Sequence, residues 1–181
     1  MLSKDQELVL QFKTAANKDA AYTILVKKYQ EKLYWHIRRM VVEHEDANDV
    51  LQNTFIKVWK GLENFRDDSQ LYTWLYRIAT NESLSFLDQR KRKSAIQFDE
   101  IARDFGNKIK ADSHFDANQL EWKLQLAIQQ LPEKQRLVFN LRYFDEMPYE
   151  EMSKVLDTSA GALKASYHHA AKKIEEFIIN S

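Results

Sequence analysis

The run Tyr149-Glu150-Glu151-Met152-Ser153-Lys154-Val155-Leu156, then Asp157-Thr158-Ser159, then Ala160-Gly161-Ala162-Leu163-Lys164 and on to Ile174, reads as a short helix, a tight turn and a longer helix. Met152, Val155 and Leu156 share one face of the first segment. Leu163, Tyr167, Ala170 and Ile174 share one face of the second, at the spacing of helical turns. Two such faces close on one another as a helix-turn-helix, whose second helix enters a DNA major groove. Ser159 can cap that second helix. Its outward side chains then include Lys164, Ser166, His168, His169, Lys172 and Lys173, and no carboxylate occurs from Ala160 to Ile174. Excluding carboxylates locally is what a phosphate-facing surface requires. The chain as a whole carries 27 basic and 27 acidic residues, so DNA binding has to come from local clusters rather than from net charge.

Upstream of this block, Leu120, Leu124, Ala127, Ile128 and Leu131 predict one helix. Pro132 suits the start of the next, which Leu137, Val138 and Leu141 carry to a break at Asp145-Glu146-Met147-Pro148. From Ser94 to Asn118 the periodicity fades into scattered Asp, Asn and Ser residues with one Gly, which predicts a linker and a domain boundary.

The N-terminal half is strongly periodic. Ser3 can cap a helix over Lys4–Lys13, and Tyr22, Leu25, Val26, Tyr29, Leu33, Ile37 and Met40 define a second from about Asp19 to Val42. Asp46 is a candidate N-cap for a third, Ala47 to Leu62. Its core face is Val50, Leu51, Thr54, Phe55, Val58 and Trp59. Asp49, Gln52, Asn53 and Ile56 form a second stripe at i, i+3, i+4 and i+7, either a solvated face or a docking surface. A polar loop, Asn64 to Gln70, precedes a fourth helix that starts near Leu71 and ends in Arg90-Lys91-Arg92-Lys93. That basic run suits a helix C-terminus electrostatically. Beside aromatics, an amide and an arginine it also suits single-stranded DNA, whose bases stack on rings while cations meet phosphates. Trp74 reads as core; for Tyr72 and Tyr76, core and base-stacking roles stay open.

Composition narrows the class. Hydrophobic residues make up 44% and aromatics 12%, with three Gly and two Pro, which favours an all-α fold with real cores. The absence of cysteine excludes disulfides and thiolate metal sites. No apolar run approaches the roughly 20 residues of a membrane span, and the N-terminus lacks a signal-peptide pattern, so a cytoplasmic protein without membrane insertion is expected. Neighbouring His168 and His169 point about 100° apart, and no third ligand is evident, so no metal is expected. No phosphate-binding Gly loop, nucleophile motif or carboxylate cluster is present, which argues against an enzyme and against a cofactor.

Asp46-Ala47-Asn48-Asp49-Val50-Leu51-Gln52-Asn53-Thr54-Phe55-Ile56-Lys57-Val58-Trp59 resembles region 2.2 of the sigma-70 family. Phe65-Arg66-Asp67-Asp68-Ser69 with Tyr72-Thr73-Trp74-Leu75-Tyr76-Arg77-Ile78-Ala79-Thr80-Asn81 resembles regions 2.3 and 2.4. Leu131-Pro132-Glu133-Lys134-Gln135-Arg136 through Gly161-Ala162-Leu163-Lys164 resembles region 4. The order of these motifs, with only two sigma domains in the chain, resembles the extracytoplasmic function (ECF) subfamily. The resemblance implies two small helical domains: a region 2 bundle over 1–93 and a region 4 helix-turn-helix domain over 119–181, joined by a flexible linker over 94–118.

It also implies roles. Asp49, Gln52, Asn53 and Ile56 would dock on the β′ clamp helices of core RNA polymerase, with the β flap as a further polymerase contact. Phe65, Arg66, Asp67 and Ser69 of the loop, with Tyr72, Tyr76, Arg77 and Asn81, would capture a flipped base of the promoter −10 element. Arg90, Lys91, Arg92 and Lys93 would hold nearby phosphates. Ser159, Lys164, Ser166, His168, His169 and Lys172 would serve −35 recognition. Promoter DNA, both duplex and single-stranded, and an anti-sigma factor are the other implied partners. Four positions depart from the family pattern: Asn53 where Glu is common, Asp157 where the turn usually has Gly, and Ser166 and His169 where arginines are frequent. The −35 contacts should rest less on permanent charge, since a histidine is charged only when protonated. A helix-turn-helix regulator with a helical sensor domain would explain the C-terminal block alone. A helical scaffold or anti-sigma-like interaction protein would leave both basic clusters as plain surface.

Overall fold

The computed structural model describes residues 2–14, 18–93 and 119–180. The linker expected over 94–118 lies outside them. Among the described residues every regular element is helical: α1 (Lys4–Thr14), α2 (Lys18–Val41), α3 (His44–Gly61), a 3₁₀ turn (Leu62–Asn64), α4 (Leu71–Lys93), α5 (Gln119–Gln130), α6 (Glu133–Tyr143), α7 (Tyr149–Leu156) and α8 (Ala160–Asn180). No described helix is long and apolar enough to cross a membrane.

The all-α expectation holds, and its periodic residues do the packing. In α2, Ala21, Leu25, Tyr29, Leu33, Ile37 and Met40 are buried along one stripe. Leu33 and Ile37 are completely shielded, and each fully buried aliphatic side chain stabilises by about 1.5–3 kcal/mol relative to exposure. Helix α2 packs on α1, α3 and α4. Two expectations need correction. Helix α3 begins at His44 with Glu43 in the N-cap position, so Asp46 is no cap and lies in the first turn. Trp59 is 38% exposed, although its ring meets Phe12 and Tyr22 edge-on at 5.1 and 4.9 Å.

Among the described residues, two apolar clusters organise the packing. The larger begins among α1–α4 and continues into the C-terminal helices through Leu137, Val138, Leu141, Met147, Met152, Val155 and Leu163. The smaller joins Ala127, Ile128 and Leu131 to Phe139, Ala170 and Ile174. The two halves of the chain therefore share a core, with α7 packed on α4.

The helix-turn-helix forms as its residues dictate. Asp157 closes α7 in the left-handed region, φ 50 and ψ 46, a conformation that Asp tolerates better than most residues. Ser159 Oγ accepts the Ala162 N–H at 3.3 Å, which satisfies one of the free donors at the start of α8.

Candidate nucleic-acid interface

On α3, Asp49, Gln52, Asn53 and Ile56 are all exposed, and they line up on the side away from buried Val50, Thr54 and Val58. Ile56 is 45% exposed, with Trp59 one turn further along. Polar groups around a bare aliphatic and half of an indole give a patch able to bury apolar area on a partner.

The loop between the 3₁₀ turn and α4 has one inward and several outward residues. Phe65 is buried, with its ring 5.2 Å from that of Trp74. Arg66, Asp67, Asp68 and Gln70 are exposed, and Ser69 is half-buried. Asp67 holds a left-handed backbone, φ 61. The Phe65 ring is therefore an anchor, and exposed Arg66, Asp68 and Gln70 after it are the part that can meet a ligand.

Helix α4 divides its predicted residues by face. Arg77 and Asn81 are exposed and one turn apart, while Tyr72 is half-buried. Tyr76 is buried: its hydroxyl donates to Asp145 Oδ1 at 3.2 Å, and its ring lies 4.9 Å from that of His36. Burial first, and the Asp145 charge second, push the Tyr76 phenol well up, so it remains a neutral donor. Of the roles left open for Tyr76, this arrangement shows the core one.

Around Tyr76 the two halves of the chain meet through polar groups. Asp145 also accepts from Arg39 at 3.2 Å, and its other oxygen lies 3.4 Å from Nδ1 of fully buried His36. The His36 Nε2 is 2.9 Å from the Thr80 hydroxyl. Thr73 donates to Glu151 Oε2 at 2.5 Å. Burial alone would raise the Glu151 carboxyl, but hydrogen bonds from Thr73 and Lys154 outweigh it and hold the group below its ordinary value. Arg39 also lies 4.4 Å from the Phe144 ring centre, a favourable cation–π distance. Sequence reading missed His36, Arg39, Thr73, Asp145 and Glu151. A histidine within the apolar stripe of α2 was the one available signal.

The basic end of α4 is likewise divided. Arg90 Nη1 donates to the Val41 carbonyl at 3.3 Å and to Asp46 at 3.2 Å. It thereby braces the α2–α3 turn, where Val42 holds φ 77, an outlier for a β-branched residue. Lys91 bonds Glu133 at 2.5 Å, from one half of the chain to the other. Arg92 and Lys93 are exposed in the last turn.

Ser159 before α8 and Lys164, His168, His169, Lys172 and Lys173 on it are exposed, and Ser166 is half-buried. The helix buries Leu163, Ala170 and Ile174 on its opposite side, so the carboxylate-free stretch does present a solvent face. The Lys164 ammonium lies 5.7 Å from the Tyr149 ring centre. Lys173 donates to Gln135, and Lys172 is 3.9 Å from Glu176, an exposed pair of small energetic weight.

Comparison with known proteins bears on both halves. Residues 25–93 match the Sigma-70 region 2 family and residues 121–174 match the Sigma-70, region 4 family. The chain is 32% identical to the RNA polymerase sigma-H factor of Pseudomonas aeruginosa over 187 residues, covering 97% of this chain and 95% of that one. It is 34% identical to the ECF RNA polymerase sigma-E factor of Escherichia coli K12 over 179 residues, covering 94% and 92%. Two solved structures have a similar fold. CnrH, in complex with the cytosolic domain of CnrY, superposes with a TM-score of 0.72 at 22% identity over 99% of both chains. The sigma factor RpoE of Bartonella quintana, in complex with the anti-sigma factor NepR, gives 0.66 at 19% identity, over 87% of this chain and 96% of that one.

Proposed function

The chain belongs to the sigma-70 family of RNA polymerase sigma factors, within its ECF subfamily, and from that membership we propose how its residues divide the work of promoter-specific initiation. The protein binds core RNA polymerase in the cytoplasm and directs it to a bipartite promoter. Nucleotide chemistry belongs to the polymerase, and this chain supplies recognition. The observation that carries the reading is the coexistence, on one folded chain, of an exposed docking stripe on α3 and a carboxylate-free solvent face on a capped second helix of a helix-turn-helix.

In this reading Asp49, Gln52, Asn53 and Ile56 meet the β′ clamp helices, and the β flap is a further contact. Lys164, Ser166, His168, His169 and Lys172 face the −35 element, with Ser159 at the mouth of the groove. Exposed Arg77 and Asn81, half-buried Tyr72 and the 65–70 loop receive a base flipped from the −10 element. Unstacking that base costs a few kcal/mol, which stacking and edge hydrogen bonds have to offset. Arg92 and Lys93 are free to hold phosphates. Lys91 joins them once its Glu133 contact parts, whereas Arg90 mainly braces the α2–α3 turn. An anti-sigma factor is the expected regulator. The domains divide at 1–93 and 119–181.

Run-off transcription tests this directly. Purified core polymerase, with and without the protein, is presented with a fragment library of host DNA. Discrete transcripts that depend on the protein are expected, and their start sites give both promoter elements. No transcripts, and no co-elution of the folded protein with core polymerase, would overturn it.

A further inference from the structure

We propose that α1, which precedes the region 2 match, is a positioning element for base selection: Gln6 and Lys13 hold the Phe65–Gln70 loop in the shape that receives the flipped base. This rests on the −10 reading of that loop.

Helix α1 is itself well fixed. Phe12 is 2% exposed and wedged against Tyr22 and Trp59. Asp5 accepts from the Tyr29 hydroxyl at 2.7 Å and from Lys28 at 2.6 Å. An element so anchored can impose a position on what it touches, and it touches the loop from both ends. Near its start, Gln6 Nε2 donates to Asp67 Oδ2 at 2.7 Å. In its last turn, Lys13 Nζ donates to the Phe65 carbonyl.

The Gln6 amide has its orientation set by the sequence. Ser3 and Gln6 form a reciprocal capping box: Ser3 N–H donates to Gln6 Oε1 at 2.9 Å, and Gln6 N–H donates to Ser3 Oγ at 3.2 Å. With Oε1 engaged at the cap, the amide nitrogen is the end left to donate outward, and it meets Asp67. One side chain thus starts the helix and tethers the loop. The tethered residue is the one with the left-handed backbone, a conformation that persists where its surroundings determine it. The anchors at 65 and 67 bracket Arg66 and leave Asp68 and Gln70 exposed. The loop's outward groups are thus held before the base arrives, which lowers the ordering cost of capture.

The capping box makes a clean test possible. Gln6→Glu keeps the oxygen that accepts from Ser3 but removes the donor to Asp67 and adds a like charge there. Helix and fold should persist by circular dichroism and melting temperature. Transcription by the full chain with core polymerase is then compared on the promoter found by run-off and on the single-base variants of its flipped −10 position. Gln6→Glu should reduce discrimination among the bases about ten-fold, equivalent to 1.4 kcal/mol, while −35 duplex binding is unchanged. Lys13→Met should act in the same direction and Lys13→Arg should not. Pairing Gln6→Glu with Asp67→Asn restores a donor–acceptor pair and should recover discrimination relative to Asp67→Asn alone. Wild-type discrimination ratios in Gln6→Glu, or an equal fall on every base, would overturn the positioning role. An inert wild type would instead overturn the sigma reading, and this inference with it.

Discussion

Asn140 sits in the middle of α6 with its side chain fully buried, and neither its amide nitrogen nor its amide oxygen has a hydrogen-bond partner. Desolvating an unpaired amide costs about 1–3 kcal/mol, whereas a leucine, with the same branching and number of heavy atoms, would bring no polar group into that buried space. Asn140→Leu is therefore expected to be neutral or to raise the melting temperature by several degrees, read by thermal unfolding of the full chain. A marked fall would show that the amide is satisfied in solution. His36 is the contrasting case. It is equally buried, but its Nε2 pairs with the Thr80 hydroxyl, while Nδ1 stands 3.4 Å from Asp145 Oδ2 without a hydrogen bond. His36→Leu should destabilise, because it takes away the hydrogen-bond partner of the buried Thr80 hydroxyl, while Asp145 keeps Tyr76 and Arg39 on its other oxygen. The same substitution type thus has opposite expected signs at two buried polar sites, and the partners decide which.

Helix α3 shows what one element contributes as a unit. Its inner stripe fixes it on α2 and α4, which leaves the outer stripe free to be altered without touching the core. Replacing Asp49 and Gln52 together with Arg should abolish co-elution with core polymerase while the circular dichroism spectrum and melting temperature hold. Unchanged affinity would sink the docking assignment. This separation could be read in the sequence because two periodicities coexist in fourteen residues, and period is a local property. The α7–α8 turn was legible for the same reason, through Asp157 and Ser159. The start of α3 was misjudged because Glu43, Glu45 and Asp46 offer several acidic starts within one turn, and the choice falls to tertiary contacts such as Arg90 with Asp46. Tyr76 was undecidable in the sequence: its partner Asp145 is 69 residues away, and no local pattern carries that pairing. The Gln6–Asp67 contact, 61 residues apart, was hidden in the same way.

Across the whole molecule, the described arrangement covers part of the helix proposed to meet the −10 element. Asp145 and Glu151, from the C-terminal half, occupy Tyr76 and Thr73 on the helix proposed to meet the −10 element. Region 4 would have to move off α4 before that face of the helix could meet DNA. Asp145→Ala leaves Arg39 and His36 facing an interface without their carboxylate and should weaken closure by about 1–3 kcal/mol. That shifts the closed–open ratio by roughly five-fold to 150-fold. Because the chain has no cysteine, a pair introduced at exposed Lys60 and Lys172 can be labelled for energy transfer, and Asp145→Ala should lower the high-transfer population. Glu151 adds a dependence on pH whose sign follows from its depressed carboxyl. The closed form favours the charged group, so its contribution is present above the ordinary value of 4.5 and is lost as the pH falls through the lower, closed-state value. Acidification below about 4.5 should lower the high-transfer population of the labelled wild type before its helices melt, as followed by circular dichroism. Glu151→Gln, which still offers Thr73 an acceptor, should remain closed at neutral pH and lose that acid step. An identical acid profile in the two proteins would move the titrating group elsewhere in the interface.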